Sequence, residues 1–431
     1  MTPPNARGGR RAASANDAAI SLVGALLLPT LPFYFGIASS LALGTTIVSV
    51  VLIAGSMFQR DRAPWAGGSA GVWHTALVCV VVLVAHLMAA SSAAPIDWTR
   101  GLTSLAPLVL VLFGGAALGK TIALASPEQV HQAVRVCFFG MCVVALFGAA
   151  GVAPAPTQPF IKPLFPFSEP SHFALSFTPL LMYMCVSAAG RSRVLWLLVG
   201  ISLALLLENL TLAAGCAMAA AVSLRWTTMA WLGLVLTAVA TQLDLGYFAD
   251  RLDLSTDNQN LSTLVYVQGW QFVVDSWQRT NGLGLGFQQL GVHGADVAAA
   301  DVIFAIFGDY VNVLDGGFTF SKLASELGVV GAALTLGFVL VAGLTSLQLR
   351  SGSKRHATGM HATQSVKPAL TFARCAVVSF LLEMFVRGAG YFTGTSLLMV
   401  AGLWFMQTQM ARRKTRPSGQ TRQSPILTQP L

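Results

Sequence analysis

Charge is what this sequence has least of. Only 10% of its 431 residues are Asp, Glu, Lys or Arg and 55% are apolar, whereas an ordinary soluble domain carries about 25% charged residues. So few charges cannot cover a water-soluble fold of this size, which excludes that class. The alternating polar and apolar strands of a transmembrane barrel are also missing. Helices remain, because they satisfy their own backbone polar groups inside a bilayer. Cysteine adds little: Cys79, Cys137, Cys142, Cys185, Cys216 and Cys375 all fall inside apolar stretches. That leaves no disulfide framework and no CxxC metal site, and the six read as small packing residues. No internal repeat is visible either, although transport proteins commonly carry one.

What is present is a series of apolar runs. Windows of about twenty residues place helices at 18–36, 39–57, 72–92, 102–119, 133–151, 171–189, 194–209, 210–224, 226–243, 323–347, 368–387 and 392–409. The expected fold is an all-α polytopic membrane protein of about twelve transmembrane helices. The first run comes after Arg7, Arg10 and Arg11 like a signal peptide but is expected to be retained, since a second span succeeds it at once. Only Glu208-Asn209 separates the seventh and eighth runs. The chain then divides into a tail at 1–17, helices over 18–243, a loop domain at 244–322, helices over 323–409 and a second tail at 410–431.

Lys and Arg set the orientation. With the N-terminus inside, 20 of the 26 basic residues lie on the cytoplasmic side, leaving only Arg100, Lys162, Arg251, Arg279, Lys322 and Arg387 opposite. The bias predicts both termini inside and an exported 244–322 loop between the ninth and tenth helices. It also accounts for the net charge of +9. Charges scattered over short loops form no basic patch, so no nucleic-acid partner is expected.

Two exported segments depart from short turns. Ala153 to His172 holds six prolines, which stop helices, and delivers Glu169 and His172 to the head of the sixth helix. Ser168-Glu169-Pro170-Ser171 also fits a plain helix cap, with Ser168 or Ser171 at the N-cap and the carboxylate near the positive end of the dipole. The 244–322 loop carries nine aspartates up to Asp315. Its stretch Leu261–Trp277 repeats apolar residues at helical spacing, which predicts an amphipathic helix resting on the membrane domain. Then come Arg279 and the run Gly282-Leu-Gly284-Leu-Gly286. It comes after a helix rather than a strand and is poor as a nucleotide fingerprint. Alternate glycines either bring backbone amides close to an anion or sugar, with Arg279 adding charge-assisted donors, or form a turn that re-enters the structure. In the eleventh helix Glu383 and Arg387 stand four apart, the spacing of a salt bridge on one helical face. Charges at that depth pair with each other or face a cavity. His74 and His86 read as core or interfacial residues.

These features resemble the O-antigen polymerase/ligase superfamily, especially the Wzy-type polymerases of O-antigen, capsule and exopolysaccharide pathways. The residues that carry the resemblance are Phe167-Ser-Glu-Pro-Ser-His-Phe-Ala174, Leu264-Val-Tyr-Val-Gln-Gly-Trp270, Arg279-Thr-Asn-Gly-Leu-Gly-Leu-Gly-Phe287, and the segment from Asp315 to Gly331 that opens the next helix. One departure stands out: many members carry an arginine where Val265 or Tyr266 stands here, leaving Arg251 or Arg387 as its substitute.

The resemblance implies a glycosyltransferase of the bacterial inner membrane. It would polymerise undecaprenyl-diphosphate-linked oligosaccharide repeat units at the periplasmic face, with the bilayer and a chain-length regulator protein as partners. Departure of a lipid diphosphate needs cations, and the acceptor hydroxyl needs a base. Arg279 and Arg387, then Arg251, are the expected diphosphate ligands, with Gly282, Gly284 and Gly286 beside them. Glu169 is the expected base, with His293 as the other candidate. His172, Tyr266 and the aspartates and aromatics of the loop would bind glycan. No cofactor is implied, and no metal is expected, because the exported acidic residues lack ligand spacing. An O-antigen ligase, or a lipid-linked oligosaccharide flippase or other transporter, are the competing readings.

The topology is directly testable. Reporter fusions at Gly190 and Arg350 should read cytoplasmic, and fusions at Pro156 and Ala298 should read exported. A cytoplasmic signal at Ala298 would put the loop, and every site residue on it, on the wrong side.

Overall fold

The computed structural model describes residues 15–58, 69–152, 154, 164–240, 260–292, 294, 296–357 and 368–414. Arg251, His293, four of the nine loop aspartates (Asp244, Asp250, Asp253 and Asp257) and most of the proline-rich segment lie outside the described residues.

The described residues form helices and no strand. The N-terminal part contains α1 (Ala15–Leu27), α2 (Leu31–Tyr34), α3 (Ala42–Phe58), α4 (Ser69–Ala90), α5 (Trp98–Thr103), α6 (Leu105–Leu124) and α7 (Pro127–Ala149). Next along the chain are α8 (Pro170–Ser187), α9 (Ser192–Leu206), α10 (Leu210–Ser223) and α11 (Trp226–Ala240). The loop region supplies α12 (Leu261–Thr280) and α13 (Ala298–Phe307), and the chain closes with α14 (Thr319–Ala357), α15 (Pro368–Phe385) and α16 (Gly394–Lys414). Within the described residues each apolar run of the sequence falls largely on helix. Among the described residues six segments are long and apolar enough to cross a membrane: Asp17–Tyr34, Ala70–Ala90, Trp98–Leu124, Pro127–Ala149, Thr319–Gly352 and Pro368–Phe385. Ala42–Phe58, Ser192–Leu206 and Leu210–Ser223 are apolar but shorter.

Helix α8 is the pillar of the bundle. Every residue from His172 to Val186 is buried, so its apolar character all round reflects neighbours on every side. It packs against α7, α9, α10 and α15, with Phe138, Phe173 and Phe177 stacked along one flank. The turn between α9 and α10 sits where Glu208-Asn209 predicts it. Glu208 takes a left-handed φ of 49°, and Asn209 caps α10 by accepting the Leu212 N–H at 3.1 Å. The Asn209 amide also donates to the Pro170 carbonyl, tying this turn to the head of α8. Elsewhere small residues let backbones approach. A Cβ at Gly114 would lie 2.8 Å from Ser49 of α3, and one at Gly119 would lie 2.9 Å from the Ala401 carbonyl of α16.

The amphipathic helix predicted over 261–277 is α12. It buries Leu264, Val265, Phe272 and Val273, packs on α13 and the start of α14, and donates from Trp277 Nε1 to the Ala324 carbonyl at 2.8 Å. A left-handed Asn281 ends it.

The glycine run just beyond Asn281 attaches the loop to the bundle. Helix α14 is broken at Gly328 (φ 58°, ψ −134°), and the glycine run docks into the break. Leu285 N–H donates to Ser325 O at 2.9 Å, Gly286 N–H to Glu326 O at 2.8 Å, and Val329 N–H to Gly282 O at 2.9 Å. The carbonyls and amide freed by the break are thus satisfied by the loop. Gln289 reaches across to the backbone of Asp97 and His86 Nε2 meets the Leu283 carbonyl, fixing the same loop to α4 and α5.

This clasp leaves no room for a side chain. A Cβ at Gly328 would overlap the Gly282 carbonyl oxygen, at a positive φ that disfavours any L side chain, whereas a Cβ at Gly337 meets nothing within 4 Å. Gly328→Ala should therefore cost about 3 kcal/mol and lower membrane abundance several-fold, while Gly337→Ala should be near neutral. Immunoblots of membrane fractions compare the two.

Candidate active site

The head of α8, the end of α15 and the start of α14 meet at one point. Glu169 is the N-cap residue of α8 in extended conformation, yet its side chain makes no capping bond. Its carboxylate instead accepts from Arg387 Nη2, at 2.8 Å to Oε2 and 3.1 Å to Oε1, and from Ser171 Oγ at 2.8 Å. The N-cap is thus Glu169 itself, not Ser168 or Ser171, and no side-chain capping bond accounts for its carboxylate. His172, one turn in, is buried and shares a 2.9 Å hydrogen bond between Nδ1 and Ser168 Oγ. It stands within electrostatic reach of Glu169, Arg387 and Asp315.

The sequence spacing pairs Arg387 with Glu383, and here the structure corrects it. Helix α15 ends at Phe385, so the four-residue helical geometry no longer holds at Arg387. The Glu383 carboxylate is fully buried and accepts from Thr393 Oγ1 at 2.7 Å and from Thr395 Oγ1. Arg387 is left to turn toward Glu169.

Behind this pair lies a second cluster that the sequence pattern does not single out. Lys322 is 1% exposed, with Nζ 3.5 Å from Asp315 and 3.7 Å from Glu326, donating to the Leu314 carbonyl and facing the Tyr391 ring. Glu326 accepts the Gln288 N–H at 2.9 Å, the Leu290 N–H at 3.3 Å and the Tyr391 hydroxyl at 2.8 Å. A Cβ at Gly390 would come 2.7 Å from Asp315 Oδ1, so a glycine is needed where these two segments cross. A signal was available: Lys322 and Glu326 stand four apart at the opening of an apolar helix, the same pattern that draws attention to Glu383 and Arg387.

Part of the site is open at the protein surface. The Glu169 side chain is 37% exposed and Asp315 31%, while Arg387 is 12% exposed. Burial pushes the Glu169 carboxyl up, but the Arg387 guanidinium, His172 and the Ser171 hydroxyl outweigh it and hold it at about 2. Burial, with the Glu326 carboxylate beside it, pushes the Tyr391 hydroxyl well above its usual range and keeps it a donor.

The other expected site residues lie apart or are differently engaged. Arg279, in the last turn of α12, is 50% exposed and paired with Asp275 at 2.8 Å and Asp296 at 3.3 Å, with no contact to the Glu169 cluster. Gly282, Gly284 and Gly286 do not present amides to a ligand. Their N–H groups go to Trp277 O, Thr280 Oγ1 and Glu326 O, so the run is a turn that re-enters the structure. Tyr266 of α12 is half-buried against Trp270 and against Phe318, which lies on the segment that leads from Asp315 into α14. Arg251 and His293 lie outside the described residues. Among the described residues no three His, Cys, Asp or Glu side chains gather to hold a metal ion.

Compared with known proteins, the sequence matches no family model and no curated protein.

The two ion pairs make different forecasts. Lys322→Met strands the enclosed Glu326 and should cost about 3–5 kcal/mol. Arg387→Gln strands only the half-exposed Glu169 and should cost about 1 kcal/mol. Glu169→Gln added to Arg387→Gln should restore the loss, and Glu383→Gln should not. Thermal unfolding of the purified variants ranks them.

Proposed function

We propose that the chain is a polysaccharide polymerase of the bacterial inner membrane, with twelve spans, both termini in the cytoplasm and the Glu169 cluster at the periplasmic face. It transfers a glycan from undecaprenyl diphosphate to the next lipid-linked repeat unit. The observation that supports this reading most is the meeting of Glu169, His172 and Arg387, three residues named from the sequence for this chemistry, at a partly water-exposed point beside the 244–322 loop.

In this mechanism the acceptor hydroxyl oxygen attacks the anomeric carbon of the donor glycan. The bond from that carbon to the diphosphate oxygen breaks, and its electron pair leaves with the lipid diphosphate. Arg387 stabilises the developing charge, with the Lys322 ammonium behind it. The hydroxyl proton passes to the Glu169 carboxylate. His172, held by Ser168, orients Glu169 and lines the acceptor side. Arg279 sits in exposed pairs away from this point and serves glycan contact in the reading, not the leaving group.

A flippase draws support from one feature, the broken helix α14, since discontinuous membrane helices carry the sites of many transporters. In this chain the break is filled by the backbone of residues 282–286, which leaves its carbonyls engaged and argues for a structural joint.

Deletion should leave single lipid-linked repeat units and abolish long glycan. Accumulation of repeat units on the cytoplasmic leaflet alone would make a flippase the better answer. Arg387→Ala should cost about 10²–10³ in rate, and Arg387→Lys should rescue only partly, because a point charge lacks the planar fork that binds two phosphate oxygens. Arg279→Gln should cost less than about tenfold, the range of an exposed pair. Polymer length on gels, normalised to membrane abundance, reads all three.

A further inference from the structure

The Glu169–Arg387 pair raises a difficulty for any reaction at this point. A carboxylate engaged by a guanidinium is a poor proton acceptor, and a guanidinium engaged by a carboxylate is a poor diphosphate ligand. Both groups are occupied with each other.

The geometry indicates how each is released. One nitrogen, Arg387 Nη2, meets both carboxylate oxygens at 2.8 and 3.1 Å. That is not the parallel two-nitrogen fork that makes arginine pairs strong, so a diphosphate with several oxygens is the better partner for the same side chain. The pair is also within reach, since the Glu169 side chain is 37% exposed. The backbone of Arg387 is held beyond the end of α15, by its own N–H to Leu382 O and by Gly388 N–H to Gly317 O at 2.9 Å. The exchange therefore asks only for a change of side-chain partner.

We propose that Glu169 fills the anion seat of Arg387, and that a diphosphate displaces it. Resting on the polymerase reading, this makes the carboxylate available to the acceptor proton only after the donor is seated. The groups facing Glu169 fit the exchange. Ser171 and His172 approach from α8 and Arg387 from the end of α15, and Asp315 faces His172 from the segment before α14, itself held by Lys322. Once Arg387 turns to a diphosphate, Glu169 loses its principal opposing charge, so its affinity for a proton rises from the low resting value.

Inorganic pyrophosphate is the probe, titrated calorimetrically into the full-length protein in lipid nanodiscs. Glu169→Gln removes the internal competitor and should bind pyrophosphate about three- to tenfold more tightly than wild type. Glu169→Asp, one methylene shorter, should fall between them and covers the case in which the amide variant folds poorly. Binding to the wild type takes up a proton at Glu169, so its deficit against Glu169→Gln should shrink as the pH falls from 7 to 5. The titration of pyrophosphate itself is common to both proteins and cancels. Arg387→Gln should lose the binding. Equal affinities for wild type and both Glu169 variants at every pH, with Arg387→Gln still deficient, would overturn the exchange and leave the diphosphate role of Arg387 standing. Pyrophosphate held equally well by Arg387→Gln, or by none of the proteins, would overturn both. Weaker binding by Glu169→Gln would make Glu169 a positioning residue for Arg387 and also end the exchange.

Discussion

A carboxylate enclosed by protein has to be matched group by group, and the site is organised around the one at Glu326. Its partners come from three separate stretches of chain: the Gln288 and Leu290 amides from the loop after α12, the Tyr391 hydroxyl from the turn after α15, and Lys322 from the preceding turn of α14. Removing any of them leaves a buried charge partly unanswered, at a cost well above that of an exposed pair. Satisfying Glu326 therefore brings the loop and the last three helices to one place. Asp315, Gly390 and Arg387 inherit their positions from that requirement.

The broken helix serves the same end. A continuous α14 would hydrogen-bond the carbonyls of Ser325 and Glu326 internally. With the break at Gly328 they become acceptors for Leu285 and Gly286, and the loop is stitched to the helix by main chain as well as by the Glu326 side chain. Phe287 then stacks on Tyr391 at 5.7 Å, adding apolar contact to the polar joint. A strained backbone conformation in the middle of an apolar helix persists only where its surroundings over-determine it, and here three backbone hydrogen bonds and a tight glycine–glycine approach do so.

Much of the fold is legible in the sequence because the bilayer leaves so few alternatives. Apolar runs of helical length become helices, and Glu208-Asn209 alone marks the α9–α10 turn. Leu261–Trp277 declares α12 through its periodicity. What is not legible is anything that depends on a partner far along the chain. The run Gly282-x-Gly284-x-Gly286 has the same local pattern whether its amides face an anion or another stretch of backbone, and only the break at Gly328 decides. Glu383 and Arg387 have ideal spacing, but the helix stops two residues short of the arginine. Glu169 and His172 are recoverable because a proline-rich approach to a helix head singles them out. Asp315 and Tyr391 carry no such mark, and Lys322 with Glu326 shows only a spacing that many surface helices share.

The two ion pairs near the site divide the work between permanence and exchange. Lys322 and Glu326 are closed off from water, and each has further partners that would be stranded by a change of arrangement. Such a pair resists rearrangement because every alternative leaves a charge in a poorly solvating environment. Glu169 and Arg387 sit at the more exposed edge of the site, where a stronger anion can compete. A rigid pair alone would give a frame without a reaction, and an exchangeable pair alone would drift from its position. Placing one near the other, with Asp315 bridging toward Lys322, fixes the backbone of the site and leaves one arginine side chain able to change partners, as the proposed transfer from a diphosphate donor requires.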